Sequence, residues 1–290
     1  MSKSTYEYYK ESKHLKAIER RTAKDNQILD VVKPIYEENK SRYGYRRIIL
    51  SIDSFTMSSL GVGRDRLRKV LRNNGLLGVQ GSNAKYHSYK GDNGEEKRNL
   101  LLTKEVDEET HKTKYVRHFE TTHPNEKWTT DVSEFKLPMG KLYLSPILDM
   151  YDGSIIAYDL STSPNLEQTR RMLDKAFKQF DNLSGLIFHS DQGWQYQHKY
   201  YMDTLRKKGV LQSFSRKGNC MDNSLMENFF GILKNEMFYG HESEFKSLDE
   251  LKIAIDEYIK YYNEKRINVK RKGLSPLAYR QQSLNELKLI

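Results

Sequence analysis

Hydrophobic and polar positions along this chain follow two different periods, and the change falls near residue 125. Before it, apolar residues recur three and four positions apart, as in an amphipathic helix; one such run is Ile28, Val31, Val32 and Ile35. Beyond it, short runs rich in β-branched and aromatic residues alternate with turn signals. The pattern predicts an all-α N-terminal region followed by a domain that contains a β-sheet.

Two short helices joined by a turn are predicted between about residues 40 and 80. The second is basic and turns several of its arginines away from its apolar positions, which is typical of a helix-turn-helix that binds DNA. A solvated basic helix in a helical bundle is the alternative. The arginines predicted to contact DNA are Arg46, Arg47, Arg64, Arg68 and Arg72.

The order of elements further along predicts an α/β domain. The helical DNA-binding region is predicted to cover 1–100. A polar linker, predicted over about 81–122, overlaps its end and leads to the sheet domain. Three strand-like runs that look antiparallel come next, and then helix, strand, helix, strand and helix follow. A mixed five-stranded sheet flanked by helices accommodates this order. The predicted sheet domain covers 123–240, and a C-terminal helical segment covers 241–290.

Charge narrows the classes of function. The chain of 290 residues carries 49 Lys and Arg against 39 Asp and Glu, a formal net charge of +10. Over half of this excess is local, since residues 41–80 hold eight basic side chains and two acids, a net +6. A basic surface of this kind favours a polyanion such as nucleic acid as the partner.

Composition also indicates a compartment. The single cysteine, Cys220, excludes an internal disulfide framework and a multi-cysteine zinc site. No apolar run approaches the roughly 20 residues of a membrane-spanning helix, and the N-terminus lacks the apolar core of a signal peptide. We therefore expect a protein of the cytoplasm that does not use a membrane.

Three acidic residues stand where the ends of the predicted elements can converge. Asp131 lies in the first strand, Asp191 just past the fourth, and Glu227 on the helix after the fifth. Each has an ordinary alternative, because either aspartate can close a turn, and Ser224 with Glu227 fits the S-x-x-E capping box. Asp149, in the second strand, is a rival for the second carboxylate.

Carboxylates gathered in this way point to a metal-dependent reaction at phosphorus. Two of them about 4 Å apart repel by roughly 4 kcal/mol at an effective dielectric of about 20, so they stay ionised together only around a cation. Mg²⁺ or Mn²⁺ is the hard, oxygen-seeking candidate. Two such ions per site can activate the attacking oxygen and stabilise the leaving one. The sequence offers no P-loop or serine-triad signature as a substitute.

Three blocks of the sequence closely resemble the catalytic blocks of one enzyme family. They are WTTDVSEF (128–135), HSDQGWQY (189–196) and SFSRKGNCMDNSLMENFFGILKNEMF (213–238). These blocks resemble those of the DDE transposases of bacterial insertion sequences, in the family that uses two overlapping reading frames. The chain is similar to the second-frame product, OrfB, whose core resembles that of retroviral integrases. The resemblance implies an RNase H-like fold.

The resemblance also implies roles for individual residues. Asp131, Asp191 and Glu227 would bind the metal ions, and Lys234, seven residues after the glutamate, would contact the transposon-end DNA. A surface lysine is the alternative for Lys234. Trp194 departs from the small residue expected in its block and would either stack on a base or cover the core. Other matching positions would shape the site or hold DNA; they are His189, Gly193, Tyr196, Gly218, Lys217 and Asn223. Of these, Lys217 and Asn223 are predicted to contact DNA.

From these residues we expect a metal-dependent DNA strand-transferase. Water would free a 3′ hydroxyl at the end of the element, and that hydroxyl would attack a phosphodiester in target DNA or at the other end of the element. The expected partners are transposon-end DNA, target DNA, further copies of the chain and the first-frame product, OrfA, in the bacterial cytoplasm and at the nucleoid. Two alternatives stay open: a DNA-binding protein without catalysis, such as a truncated element product that acts as an inhibitor, and a structure-specific nuclease on the same fold.

Overall fold

The computed structural model describes residues 3–10, 12–79, 98–106 and 111–288. The first part of the predicted linker, 81–97, lies outside the described residues. The described chain divides into a helical unit, within the first 80 residues together with Asn268–Gly273, and a larger unit that contains the central sheet. No helix in the described ranges combines the length and the apolar character that a bilayer span requires.

The helical unit, as far as it is described, contains five helices. Their bounds are α1 Lys3–Lys10, α2 Ser12–Glu38, α3 Tyr45–Ser51, α4 Ser54–Leu60 and α5 Arg64–Asn73. Leu67, Val70 and Leu71 are the buried residues of α5, so its arginines lie on the other side. The all-α character predicted for this part of the chain is confirmed.

One helix that the pattern did not predict, α4, lies between the two helices of the predicted helix-turn-helix. Asp53 begins it by accepting hydrogen bonds from the N–H and the hydroxyl of Thr56, at 2.8 and 2.6 Å, and Gly61 ends it in the left-handed conformation with φ 55°. The pair joined by a short turn is therefore α4 and α5. The pattern missed α4 because its residues, SFTMSSL, are mostly small, polar and weak helix formers.

Strands β3 to β8 form the central sheet. Their bounds are β3 Lys127–Thr130, β4 Ser133–Leu137, β5 Gly140–Asp149, β6 Ile155–Ser161, β7 Ile187–Ser190 and β8 Leu211–Phe214. β3 and β4 pair with β5 in one continuous antiparallel register, from Trp128 opposite Asp149 to Leu137 opposite Gly140. They are therefore one strand with an interruption.

The strand order of this sheet is β6–β5–β3/β4–β7–β8. β7 runs parallel to β3 and β8 parallel to β7, whereas β5 and β6 are antiparallel. Counting β3 and β4 as one, the sheet is mixed and has five strands. The predicted α/β, RNase H-like fold is confirmed.

Helices cover both faces of the sheet. Their bounds are α6 Leu166–Phe177, α7 Trp194–Gln197, α8 Lys199–Lys207, α9 Ser224–Met237, α10 Leu248–Glu264 and α11 Pro276–Lys288. Because successive residues of a strand point to opposite faces, Ile147 and Leu148 of β5 belong to different apolar clusters. Ile147 packs with residues of α6 and α8, and Leu148 packs with residues of α9 and α10. The helical character predicted for the C-terminal part is confirmed by α10 and α11.

A β-hairpin occupies the described part of the region predicted as a linker. Its strands are β1 Leu102–Val106 and β2 Thr113–Arg117, which pair antiparallel. Four of the five residues of β1 are exposed, so the alternation that marks a half-buried strand is missing from the sequence. The structure corrects the linker prediction for these residues.

Candidate active site

Asp131 lies at the interruption of the central strand. β3 ends at Thr130, and the Asp131 carboxylate accepts a 2.7 Å hydrogen bond from the backbone N–H of Val132. The strand resumes as β4 at Ser133. Asp131 is buried and stands at the carboxyl end of β3, where the parallel part of the sheet ends.

Asp191 takes the equivalent place on the neighbouring parallel strand. β3 and β7 pair with Thr129 beside His189, and the same register carried two residues further puts Asp131 beside Asp191. Neighbouring strands lie about 4.8 Å apart, a separation at which two carboxylates interact strongly. The sequence predicted that these two strand ends could converge, and the topology brings them together.

The turn after Asp191 fits closely around its carboxylate. The N–H of Gly193 donates a 2.9 Å hydrogen bond to Asp191 Oδ1, and a Cβ at position 193 would lie 2.9 Å from that same oxygen. Tyr196, three residues on, is fully buried. Burial, and then the carboxylates of Asp131 and Asp191, raise the pKa of Tyr196 well above its ordinary value. One neutral hydroxyl therefore lies near both aspartates.

Helix α9 is fastened to the end of β3 by Asn223, the residue before its first turn. Asn223 Oδ1 accepts a 2.5 Å hydrogen bond from the Thr129 hydroxyl, and its amide nitrogen donates to the Thr130 carbonyl at 3.2 Å. Asn223 is buried, so its amide is used inside the protein, and the DNA contact predicted for it stays a prediction. Position 227 follows one turn later, so Glu227 lies on the face of α9 that Asn223 fastens to the end of β3.

The same face of α9 approaches the strand again at Lys234. Its ammonium nitrogen lies 5.1 Å from the centre of the Phe135 ring. Burial lowers the pKa of Lys234, and the carboxylates of Glu134 and Asp131 partly oppose that effect. Lys234 is half-buried rather than a plain surface residue, and its predicted DNA contact stays a prediction. Glu227 therefore lies between two points at which α9 contacts the strand of Asp131.

The capping box that Ser224 and Glu227 could form is not present. Asn223 is the N-cap of α9, and its side chain makes no cap hydrogen bond. Within the described part of the chain, the Glu227 carboxylate has no hydrogen-bond or ion-pair partner. Burial raises the pKa of Glu227 and that of Asp191 above their ordinary values. Both groups are costly to ionise without a cation nearby.

The donor set fits a hard divalent cation. Asp131 and Asp191 offer carboxylate oxygens side by side, and Asp191 has no basic partner among the described residues. Over the described ranges, no three or more His, Cys, Asp or Glu side chains are already gathered closely enough to hold an ion. Glu227 therefore has to approach the aspartates before all three can act together. An integrase-like core with acids so arranged implies dependence on a divalent metal ion.

Asp149, the rival second carboxylate, lies at the other end of the sheet. It is opposite Trp128 in the register of β3 and β5, three residues before Asp131. Its carboxylate accepts hydrogen bonds from the Arg280 guanidinium at 2.8 Å and from the N–H of Asn125 at 2.7 Å. The structure gives Asp149 a structural role away from the site.

The basic residues predicted to contact DNA lie mainly on the helical unit. Two of them contact Tyr45: the guanidinium carbons of Arg46 and Arg68 lie 5.7 and 5.5 Å from the centre of its ring. Arg47 is half-buried, with its guanidinium 5.5 Å from the Tyr43 ring. The exposed members of the set are Arg46, Arg64, Arg68 and Arg72. Residues of α3 and α5 thus contribute to one basic surface.

A second basic surface of the helical unit was not singled out from the sequence. It surrounds a cavity of about 370 Å³ lined by Arg20, Arg21, Lys24, Gly61, Val62, Gly63 and Arg66. The lining contains four basic residues, one of which, Arg66, pairs with Asp25 at 2.5 Å. The spacing of Arg20, Arg21 and Lys24 on α2 puts them on one helix face, which is the signal that could have found them.

Three further block residues have distinct surroundings. Trp194 is 53% exposed, so it does not cover the core, and its stacking on a base stays a prediction. Lys217 is exposed, and its DNA contact also stays a prediction. His189 is buried with its Nδ1 2.9 Å from the Ser213 hydroxyl, and burial lowers its pKa to about 4. His189 is therefore a neutral, structural histidine near pH 7.

Comparisons with known proteins agree with this arrangement. Two stretches of the chain, residues 121–220 and 227–284, match family models described as Integrase core domain. The chain is 41% identical over 284 residues to the putative transposase InsK of insertion sequence element IS150 from Escherichia coli K12, covering 97% of this chain and 90% of that protein. It is 49% identical over 220 residues to an uncharacterized transposase-like protein of Haemophilus influenzae, covering 75% and 94% respectively.

Among solved structures, the chain is similar to the catalytic core domain of HTLV-2 integrase in complex with magnesium. That similarity has a TM-score of 0.44 and 18% identity, over 56% of this chain and 99% of the other. The extent of the match to the bacterial relatives is what decides the family. The chain belongs to the insertion-sequence transposases with an integrase core domain, which are enzymes of the DDE type.

Proposed function

We propose that this transposase cleaves DNA at the end of its insertion sequence and transfers the freed strand. The proposal is supported by Asp131 and Asp191 at the ends of neighbouring parallel strands, and by Glu227 on α9, a helix whose start is hydrogen-bonded to the end of β3. In the first step, water attacks the phosphodiester, the bond from phosphorus to the 3′ oxygen breaks, and a 3′ hydroxyl and a 5′ phosphate remain. In the second step, the 3′ hydroxyl loses its proton and attacks a target phosphodiester, whose own 3′ oxygen leaves.

Asp131, Asp191 and Glu227 would hold the metal, with Mg²⁺ or Mn²⁺ as the proposed ion and two ions per site. The raised pKa of Asp191 and of Glu227 supports this role, because a carboxyl that ionises reluctantly alone gains most from a cation. When bound, the ions would activate the attacking oxygen and stabilise the leaving one. The chain itself supplies the orientation, through the Gly193 N–H on Asp191 and the attachment of Asn223 to β3.

DNA is the proposed partner of the basic surfaces. Arg46, Arg64, Arg68 and Arg72 are exposed on the helical unit, and Arg47 lies beside them; such residues bind mainly phosphate and so fix orientation rather than sequence. Lys234 is proposed to contact the transposon end near the carboxylates. Further copies of the chain, target DNA and the first-frame product complete the proposed assembly, in the bacterial cytoplasm where the chromosome lies.

The proposed reaction is tested by incubating the full chain with labelled terminal-repeat DNA and Mn²⁺, with and without the first-frame protein. We expect cleaved ends and joined products, and both should disappear when a chelator removes the divalent ion. The chain with Asp131→Asn serves as the inactive control. Cleavage without any joining in either mixture would favour a structure-specific nuclease, and binding without cleavage would favour a DNA-binding inhibitor.

The DNA-binding surface is tested by its dependence on salt. Arg64→Ala combined with Arg68→Ala should weaken binding and flatten the plot of log K against log salt, by about 0.9 for each phosphate that the variant no longer neutralises. Arg170→Ala combined with Arg206→Ala is the matched control, because these arginines are exposed on the catalytic unit. A slope that the first pair leaves unchanged would exclude this surface as the DNA-binding one.

A further inference from the structure

Asp222 is a buried acid that stands next to the site but belongs to neither metal nor DNA in the proposed function. Its side chain is 1% exposed. Oδ1 accepts a hydrogen bond from Arg117 Nε at 2.8 Å, and the Arg216 guanidinium donates to both oxygens at 2.9 and 3.0 Å. The backbone N–H of Arg216 and the amide of Asn99 donate at 3.1 and 3.3 Å. Burial opposes ionisation of Asp222, but the hydrogen bonds from Arg216 and Arg117 together outweigh it and lower the pKa of Asp222, so the carboxyl is ionised.

The arginine that reaches Asp222 from furthest away belongs to the β1–β2 hairpin. Arg117 is the last residue of β2, and 105 positions separate it from Asp222 along the chain. A two-stranded hairpin is marginally stable by itself, and most residues of β1 are exposed. The Tyr115 ring adds a contact, with its centre 4.1 Å from the Arg216 guanidinium carbon, and the segment before β1 is bonded to β8 through the N–H of Leu100 and the Ser213 hydroxyl at 2.9 Å. Asp222 thus joins the hairpin to the segment that leads into α9.

The next residue, Asn223, attaches the start of α9 to the catalytic strand. Its amide bonds to Thr129 and Thr130 at the end of β3, directly before Asp131. Two consecutive residues therefore fasten the start of α9 in two directions, one to the hairpin and one to the catalytic strand. Glu227 lies one helical turn beyond this double attachment.

Apolar contacts hold the inner side of α9 along its length. Met226, Phe229, Phe230 and Leu233 are buried in the apolar cluster against the sheet and α10. Breaking the hydrogen bonds to Asp222 should therefore leave the helix in place. Met226 still holds the inner side of the first turn, so only the side that carries Ser224 and Glu227 should loosen. That turn contains Glu227, the carboxylate that has to approach the aspartates for three ligands to act together.

We infer that Asp222 is a positioning residue, which fixes Glu227 opposite Asp131 and Asp191 by tying the start of α9 to the β1–β2 hairpin. The hairpin lies outside the stretches that match the integrase core description, 121–220 and 227–284, and it becomes part of the support of the active site. The inference rests on the proposed function, because it assigns a support to one of the proposed metal ligands. Residues that orient a metal ligand contribute about 10- to 100-fold to metal affinity or activity.

The test compares Mn²⁺ binding by the wild-type chain and by Asp222→Asn, measured without DNA from the electron paramagnetic resonance signal of free Mn²⁺. Asp222→Asn keeps the size of the side chain but removes the charge that the arginines need. We expect its Mn²⁺ affinity to fall about 10- to 100-fold, with kcat for cleavage falling in parallel and KM for DNA unchanged. Asp174→Asn, which removes an exposed aspartate of α6 paired with Arg170 at 3.9 Å, is the matched control.

Arg117→Met tests the hairpin separately. It should lower Mn²⁺ affinity in the wild-type background and add little in the Asp222→Asn background, because both changes break the same attachment. Arg117→Lys, which keeps the charge, should restore most of the affinity. If Asp222→Asn fails to fold, Arg117→Met decides the question alone, because Arg117 is partly exposed.

The outcomes separate this inference from the proposed function. A wild-type chain that binds Mn²⁺ and cuts DNA, beside folded Asp222→Asn and Arg117→Met chains that do so equally well, overturns the inference alone. A wild-type chain that neither binds Mn²⁺ nor cuts DNA overturns the proposed function and this inference with it. Independent losses from Arg117→Met and Asp222→Asn that simply add would also contradict the shared attachment.

Discussion

Each end of the central sheet carries a pair of aspartates, and the two pairs have opposite surroundings. At one end, Asp149 and Asp152 are buried around the guanidinium of Arg280, which donates a 2.8 Å hydrogen bond to each. At the other end, Asp131 and Asp191 follow neighbouring parallel strands, and Asp191 has no basic partner in the part of the chain that is described. The protein thus supplies a positively charged partner for the aspartates at the Asp149 end, whereas none is described for Asp191 at the other end.

The difference teaches how a structural acid is told from a functional one. Burial opposes ionisation of any carboxylate, and the opposition has to be offset by a positive charge or by donors. Arg280 supplies that charge inside the chain, so the Asp149 cluster has no need of a ligand. Burial raises the pKa of Asp149 as well as those of Asp191 and Glu227, so the partner is what separates the two ends. Asp191 has no basic partner among the described residues, and its end of the sheet is therefore complementary to a cation from outside.

The largest effect that follows from this comparison is on cleavage. Asp131→Asn, Asp191→Asn and Glu227→Gln should each reduce strand cleavage by more than about 100-fold, since that is the upper end for residues that merely orient a metal ligand. DNA binding should persist, because the basic surface lies on another part of the chain. Gel-based cleavage and binding assays on terminal-repeat DNA measure the two quantities separately.

The control for Glu227→Gln is Glu257→Gln, which makes the same change at an exposed glutamate of another helix, α10. It should leave both cleavage and binding unchanged. Full cleavage by any one of the three site variants would remove that residue from the catalytic set and would weaken the contrast between the two ends of the sheet.

The sequence could indicate the candidate acids but could not choose among them by local pattern alone. Asp131 and Asp191 follow strand-like runs, so their convergence is predictable from element order. Asp149 also ends a strand, and what separates it from the others is Arg280, which lies 131 positions away along the chain. No local pattern reveals a partner at that distance, and only the family blocks favoured Asp191 over Asp149.

The second prediction concerns the end of the sheet where Arg280 pairs with Asp149 and Asp152. Arg280→Met should lower the free energy of unfolding by about 3–5 kcal/mol, the usual consequence of leaving a buried charge without its partner. The loss should be largest at neutral pH. Burial and Asp152 already raise the pKa of Asp149, so acid protonates that carboxyl in the folded chain and relieves the unpaired charge. Urea unfolding at pH 5 and pH 7 measures both effects.

Arg170→Met is the matched control for this prediction. Arg170 is exposed and its ion pairs on α6 are 3.8 and 3.9 Å long, so its loss should change stability by less than about 1 kcal/mol. Equal effects of the two substitutions would show that Arg280 does not complete the Asp149 cluster.

Other parts of the fold escaped prediction for physical reasons that differ from one another. The β1–β2 hairpin has mostly exposed strands, so it lacks the period-two pattern of a half-buried strand. Helix α4 depends on the Asp53 cap and on Gly61 rather than on an apolar stripe. The role of Asp222 depends on Arg117, in a hairpin that was not itself predicted. By contrast, the apolar stripe of α9 was visible, since the burial of Met226 and Leu233 follows its period.

The smallest predicted effect is on the stability of the metal-free chain, at the end of the sheet that carries Asp131 and Asp191. Asp191→Asn should raise the free energy of unfolding at pH 7 modestly, by about 1 kcal/mol, because burial opposes the ionisation of Asp191 and the asparagine carries no charge. The pKa of Asp191 is raised in the folded chain, so the folded state of the wild type binds more protons than the unfolded state just above pH 3.8. Wild-type stability therefore falls as pH rises through that window, and the asparagine avoids this fall.

Urea unfolding in the presence of EDTA, at pH values from 3.5 to 7, measures the difference between the two proteins. It should be smallest at the acid end and reach its full value once Asp191 is ionised in the folded wild type. Adding Mn²⁺ should reverse the order, because an ion bound by the folded wild type stabilises it by mass action and the asparagine weakens that binding. A variant that is less stable than the wild type without metal at pH 7 would mean that Asp191 is satisfied within the protein, as Asp149 is, and the contrast between the two ends of the sheet would disappear.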